Sequence, residues 1–254
     1  MKELIEILKK FDDKRTEMIN AKKWSKDVVA DCFLPCAKEI LLDGCFMVND
    51  QFLIDIGSIE LYYHEEEGEI KDHIMYHTNE HLPNKTNGII NKNTGYPYFE
   101  PGSFNLHTSG IDVTFENPDK KYRASFLIRS YRVLGKGDNP ADLKKPFDSC
   151  STHLFDDMFY SGILLGTETV KWIETNDKGG QIKQDVRRNV AYYRKEKNKN
   201  GIEKFVRVSK EDYEDNKDDI KTIIPEPWFF KYGGNEYLKD TRVWQFKREG
   251  IKEI

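Results

Sequence analysis

The sequence predicts an α+β fold: a curved, mainly antiparallel sheet with helices packed around it. Two long runs, residues 51–63 and 122–134, are rich in β-branched and aromatic residues and alternate as strands do. Turn signals precede both, Asn49-Asp50 before the first and Asn117-Pro118-Asp119-Lys120 before the second. Helical spacing, in contrast, is clearest near the N-terminus, where Leu4, Ile7, Leu8 and Phe11 form one stripe.

In chain order, residues 1–12 read as an amphipathic helix within an N-terminal extension, 1–24. A second helix is expected over 25–43 despite Pro35, with Gly44 suited to its end. Residues 45–48 and 51–63 then pair as a hairpin, and 64–71 form an acidic turn. Residues 73–98, rich in His, Asn, Gly and Pro, read as a long loop, a kind that is usually functional or mobile. Ile111, Val113 and Phe115 alternate into the turn at Asn117, and residues 122–134 return. Ser151 is suited to cap a helix burying Leu154, Phe155, Met158 and Phe159. Short strands are expected at 188–194 and 204–208, with a charged loop at 195–201 between them. Residues 195–222 as a whole read as a solvated insertion in a single domain whose core spans 25–245.

The 254 residues suit one large domain, and 38% hydrophobic residues are enough for a packed core. The formal charge is −4 and the isoelectric point about 5.9, so nucleic acid would have to be bound by local basic patches. Neither a signal peptide nor an apolar run of about 20 residues is seen, which predicts a cytoplasmic protein without a membrane contact. Cys32, Cys36, Cys45 and Cys150 form no CxxC pair, so reduced cysteines and no metal site are expected.

Glu60 is the main candidate for chemistry. On a regular strand it shares parity with Phe52, Ile54 and Ile56, which points a carboxylate to the core face. A buried carboxylate is costly unless paired, and is kept mainly for pairing or acid–base work. A bulge at Gly57-Ser58 would instead rotate it to solvent. Arg129, between apolar neighbours, is expected to pair with a carboxylate, most naturally Glu60.

The order of the motifs is specific. Glu60-x-Tyr62 is followed by a loop with Asp72, His73 and His77. Phe99-Glu100-Pro101-Gly102-Ser103-Phe104 then opens a strand running through His107, Gly110 and Asn117. Phe126-Leu127-Ile128-Arg129 comes next, and much later Arg187-Arg188-Asn189-Val190 and Tyr232-Gly233-Gly234-Asn235. This order resembles the alkyladenine (methylpurine, 3-methyladenine) DNA glycosylase family over roughly residues 30–240, each motif being short and degenerate.

The resemblance implies that fold, and an N-glycosylase that hydrolyses the base–sugar bond of damaged or modified purine nucleotides. It implies Glu60 as the base that activates water, Arg129 close to that water, and Tyr62 stacked on the base. It places His107 at a second stacking position, Asn117 beside the base, and His77 or His73 on the nucleotide's phosphate or backbone. No cofactor is implied. The expected partner is DNA, or a free nucleoside, and a monomer is favoured.

The chain departs from the family at the wedge that fills the gap left by a flipped base. Those positions fall near Ser109-Gly110, too small for that task. A single-stranded or free nucleoside substrate would need no wedge. The alternative is a non-catalytic protein that binds a nucleotide or modified base.

Overall fold

The structure is a computed structural model. It describes residues 1–72, 75, 98–107, 110–135, 137–160, 169–175, 178–185, 187, 192–197, 201, 203–208, 222–223, 229–232, 235–238 and 242–254. For residue 160 and the strands between 192 and 238 this is the backbone alone. Where one domain is expected, the chain divides into two compact units, Met1–Gln184 with Trp244–Ile254, and Asp185–Val243.

The elements are α1 (Lys2–Asn20), α2 (Val29–Lys38), β1 (Gly44–Val48), β2 (Phe52–Glu65), β3 (Phe104–His107), β4 (Gly110–Thr114) and β5 (Tyr122–Gly135). They continue with α3 (Ser151–Phe155), β6 (Val170–Glu174), β7 (Ile182–Asp185), β8 (Tyr192–Lys197), β9 (Glu203–Val208), β10 (Thr222–Ile223), β11 (Phe229–Tyr232), β12 (Asn235–Leu238) and β13 (Gln245–Arg248). One sheet is eight-stranded, in the order β3-β4-β5-β2-β1-β6, with β13 paired to β2 and to β7. It is a curled antiparallel half-barrel, and the protein is of mixed α and β structure. Strands β10-β11-β12-β8-β9 form a separate five-stranded sheet.

Helix α1 runs to Asn20, past the expected end at residue 12. It is no extension of the core but part of it. Phe11 is fully buried, and its ring packs edge-on to Trp24, Phe33, Tyr63, Phe115 and Tyr122 at 5.4–6.5 Å. The expected helix 25–43 is three pieces: a 3-10 turn Lys26–Val28, α2, and a wider π turn Glu39–Asp43. Pro35 lies inside α2 and cannot donate to the preceding turn, which accounts for a short α segment.

Strands β2 and β5 pair along their whole length, and each carries one extra residue at the middle. Ile56 faces Tyr131, Ser58 faces Ser130, and Ile59 faces Ile128, which leaves Gly57 and Arg129 unmatched. Each extra residue shifts the alternation by one. Ile54 and Ile56 join the core before the bulge, and Ile59, Leu61 and Tyr63 after it; on β5, Phe126 and Ile128 give way to Tyr131. Position 57 must be glycine, because a Cβ there would lie 2.5 Å from a Phe147 ring carbon and 2.8 Å from Ser130 Oγ.

Several expected boundaries move. His64 and Glu65 complete β2, so the turn is confined to residues 66–69. The single strand expected through His107, Gly110 and Asn117 is a hairpin, β3 and β4, with Asn117 beyond it. The helix expected from Ser151 is one turn followed by a π turn, with Cys150 at its cap position. Within the expected insertion 195–222, Lys195–Lys197 end β8 and Glu203–Val208 form β9, which pairs with it, while residues 198–200, 202 and 209–221 lie outside the described residues. Of the strand expected at 188–194, residues 192–194 belong to β8 and residues 188–191 lie outside the described residues.

Candidate functional site

Residues paired directly across neighbouring strands project from the same face of a sheet. The face of the eight-stranded sheet opposite the Phe11 core is therefore readable from the register. One row runs Gln245, Glu60, Leu127, Asp112, Asn105 across β13, β2, β5, β4 and β3. The next row toward the ends of β2 and β4 is Tyr62, Ser125, Thr114. Beyond it His64 faces Arg123. Glu60, Tyr62, Asp112, Ser125, Arg123 and Gln245 are all buried, so this is a covered polar layer, not a solvated surface.

Glu60 lies at its centre with no exposed surface. Its Oε2 is 2.6 Å from Arg129 Nη2 and accepts a hydrogen bond of 3.0 Å from the Tyr62 hydroxyl. Arg129 Nη2 also donates to the Tyr62 oxygen at 3.3 Å. The double bulge makes this triad. It turns Glu60 away from the face of Ile54 and Ile56, correcting the expectation of a core-facing carboxylate, and it adds Arg129 to the strand alongside. The rotated side chain does not reach solvent, because that face is covered as well. Burial pulls the Arg129 guanidinium down, but Glu60 and Tyr62 outweigh it and hold it above its ordinary value. The carboxylate thus has a permanent cation beside it.

Two strands away in the same row, Asp112 Oδ2 accepts from Asn105 Nδ2 at 3.3 Å. His107 Nε2 lies 3.3 Å from the same oxygen, an ion-pair distance without hydrogen-bond alignment. His107 thus joins the layer that holds Glu60. Asn117 does not. It forms a bridge with Tyr122, which pairs with Glu65, about 16 Å along β2 from Glu60 at about 3.3 Å per residue. Its side chain serves the turn, accepting from the Lys120 N–H at 3.0 Å and reaching Asp12 of α1 at 3.5 Å. Asn117 beside a bound base is therefore corrected to Asn117 as a turn residue. His73 and His77 lie outside the described residues. Asp72 is buried: its N–H donates to His64 Nδ1, and its carboxylate accepts from the Tyr63 N–H.

Two further buried carboxylates on the polar face escape a reading of the sequence alone, as Asp112 does. Glu116 accepts from the Phe99 N–H at 2.8 Å and pairs with Arg123 at 3.2 Å, while Arg123 is shared with Glu66 at 2.9 Å. Burial, with only half a cation to offset it, pushes the Glu116 carboxyl up to about 7. Asp55 lies before the bulge, surrounded by Lys178 at 2.8 Å, Arg132 at 2.8 Å and Arg248 at 3.1 Å. The only sequence signal for either was position: each is an acidic residue opposite in parity to the apolar residues of its strand.

Among the described residues, no group of three or more His, Cys, Asp and Glu side chains is arranged to hold a metal ion. Among them too, no helix is long and apolar enough to cross a membrane. No protein-family model, curated protein or solved structure matches this chain.

Proposed function

We propose that this protein is an N-glycosylase-like hydrolase that cleaves the base–sugar bond of modified purine nucleotides. Its fold is read as a divergent form of the methylpurine-DNA glycosylase fold. The observation that carries the proposal is the triad of Glu60, Arg129 and Tyr62, which unites on one buried face the residues that the motif order assigns to the chemistry. Glu60 is the general base. Water between it and the sugar gives up a proton to the carboxylate as its oxygen attacks the anomeric carbon. Arg129 holds the Glu60 carboxylate in place and stabilises the charge that builds up on the attacking oxygen. The Tyr62 hydroxyl is engaged by Glu60, leaving its ring to meet a base. With Ser109-Gly110 at the wedge position and a net charge of −4, a single-stranded nucleic acid or a free nucleoside fits better than a duplex.

One observation favours a second reading, a non-catalytic nucleotide-binding protein: Oε2 of Glu60 is engaged twice and the residue is wholly buried. The two readings part in one experiment. Release of base is measured from single-stranded and duplex oligonucleotides and nucleosides with modified purines, using the wild type and Glu60→Gln. The enzyme reading expects release that the variant loses by about two to four orders of magnitude. Nucleoside binding with no release in either protein supports the second reading, and equal release by both removes Glu60 as the base.

A further inference from the structure

Residues 98–103 run beside the end of β4 before the chain enters β3, and two kinds of contact hold them. From Glu100 onward the contacts do not depend on pH. The Ser103 N–H donates to Glu100 O at 3.0 Å, closing a turn with Pro101 second and Gly102, at a φ of 80°, third, the pattern of a type II turn. The Thr114 hydroxyl donates to Glu100 O at 3.1 Å, and the Gly102 N–H donates to Thr114 O at 2.7 Å. Ahead of the turn, Tyr98 and Phe99 meet charged groups. The Phe99 N–H donates to Glu116 Oε2 at 2.8 Å, and the Arg123 guanidinium lies over the Tyr98 ring, 4.2 Å from its centre.

Glu116 is held unevenly. The Phe99 N–H and Arg123 Nη1, the latter at 3.2 Å, both donate to Oε2, while Oε1 is buried and, among the described residues, has no hydrogen-bond partner. Arg123 lies closer to Glu66, with its Nε 2.9 Å from Oε1 of that side chain. Burial works against the Glu66 charge, but Tyr98 and Arg123 outweigh it and hold that carboxyl below its ordinary value. Glu66 therefore keeps the cation, and Glu116 is the carboxyl left to take up a proton. Burial and Glu66 hold the Tyr98 phenol above its ordinary value, so it stays neutral. Two more groups face the cluster. His64 of β2 lies opposite Arg123, with its Nδ1 accepting from the Asp72 N–H, and Asp112 of β4 adds a further negative charge.

We propose that Glu116 is a proton-operated latch: Tyr98 and Phe99 lie against the sheet while it is protonated, and swing away about the Glu100–Ser103 turn as it ionises. The latch requires no ligand and no chemical role for Glu60. Its sign follows from the two environments of one carboxyl. With Phe99 in place, burial raises Glu116 from 4.5 to about 7; the Phe99 N–H and Arg123 favour the ionised form and are outweighed. With Phe99 withdrawn, the carboxyl meets water and returns toward 4.5. The shut form thus binds the proton more tightly. Below about pH 4.5 both forms are protonated and the shut form has its full advantage, which is lost as pH rises through about 7. Each opening near neutral pH releases up to one proton to solvent.

Hydrogen exchange resolved to single amides tests the latch on the whole chain, each rate being divided by its intrinsic value at that pH. Protection of the Phe99 N–H is expected to fall about tenfold from about pH 6 to about pH 8.5, levelling off above about pH 7. At every pH Phe99 should be less protected than Gly102 by about tenfold or more, because the turn stays bound to Thr114 when the latch opens. Glu116→Gln keeps an oxygen for the Phe99 N–H and has no proton to lose, so its protection should vary less than about twofold over the same range. Glu66→Gln changes a part-exposed side chain and leaves Arg123 to Glu116, so the levelling-off should move to lower pH; it carries the test if Glu116→Gln does not fold. A flat wild-type profile overturns the proposal. So does a fall that persists in Glu116→Gln, which would belong to His64, and so does an unmoved profile in Glu66→Gln. Equal protection of Phe99 and Gly102 at every pH overturns it as well, since the segment would then open as a whole and not about the turn.

Discussion

Asp55 and Glu60 lie on the same strand, face the same way and are equally buried, yet they are held by different means. Around Asp55 are three cations from three segments: Arg132 of β5, Lys178 ahead of β7, and Arg248 of β13. Their remaining N–H groups go to backbone carbonyls of Leu41, Gly44, Pro140, Asp142 and Lys145. Arg132 and Arg248 also flank the Phe147 ring at 4.6 and 5.7 Å. Glu60 meets the Arg129 cation and the Tyr62 phenol, which come from β5 and β2 themselves. The Asp55 cluster ties distant parts of the chain together. The Glu60 triad ties together only what the sheet already pairs. A buried ion pair rarely stabilises more than well-packed apolar side chains of the same volume. The Asp55 cluster repays its desolvation by fixing topology, whereas the contacts among Glu60, Arg129 and Tyr62 join strands that already pair, and that contrast directs attention to Glu60 for chemistry.

The largest expected effect follows at Asp55. Asp55→Asn keeps the shape and leaves three buried cations around a neutral amide. A loss of about 3–5 kcal/mol of stability is expected, read by urea unfolding. A loss under about 1 kcal/mol would erase the contrast, making the cluster no more structural than the triad.

Glu116 extends the comparison to a carboxylate with less compensation than Asp55. Asp55 has three cations around it, whereas Glu116 shares Arg123 with Glu66. Burial raises it from 4.5 to about 7, against the pull of the Phe99 N–H and Arg123. A carboxyl with a raised value in the fold is protonated in both states below about pH 4.5, where it costs nothing. Between there and about pH 7 the unfolded chain ionises first, and stability falls as pH rises. Above about pH 7 the penalty levels off, at an upper bound of about 3 kcal/mol. Glu116→Gln should remove that slope and be the more stable protein at pH 8. The difference between variant and wild type in unfolding free energy, measured from pH 4.5 to 8, checks the sign; a slope unchanged by the substitution would show that Glu116 ionises freely.

What was legible in the sequence follows the range of the interactions. Strands β2 and β5 stand out because their alternation is local, and Glu60 because it breaks that alternation. The side on which it lies was not legible, since that depends on Gly57 and Arg129 being left unmatched on two different strands. Glycine before serine suggests a bulge on β2, but nothing in residues 122–134 marks Arg129 as the second extra residue. Nothing local marks Asp55 as buried, because Lys178 and Arg248 reach it from more than a hundred residues away. Asn117 was legible as a turn residue from Asn-Pro-Asp alone. The role that the family resemblance implies for it is the one that the register separates from Glu60.

The smallest effect is expected from the stability of Glu60→Gln, apart from its effect on activity. The amide keeps an oxygen to accept from Tyr62, so that hydrogen bond survives. Arg129 loses its anion while its side chain stays 9% exposed, close enough to the edge of the layer for some solvation. Its hydrogen bond to the Tyr62 oxygen remains. The cost is that of one weakened charged contact, about 1–3 kcal/mol, below that of Asp55→Asn. Both variants exchange one carboxylate oxygen for an amide nitrogen on the same face of the same strand, so the difference between them sets Arg129 beside Glu60 against the three cations around Asp55. Equal losses in urea unfolding would mean that Glu60 is as structural as Asp55 and would favour the non-catalytic reading. A loss at Glu60 of less than about 1 kcal/mol would sharpen the contrast, marking a carboxylate that the fold can spare.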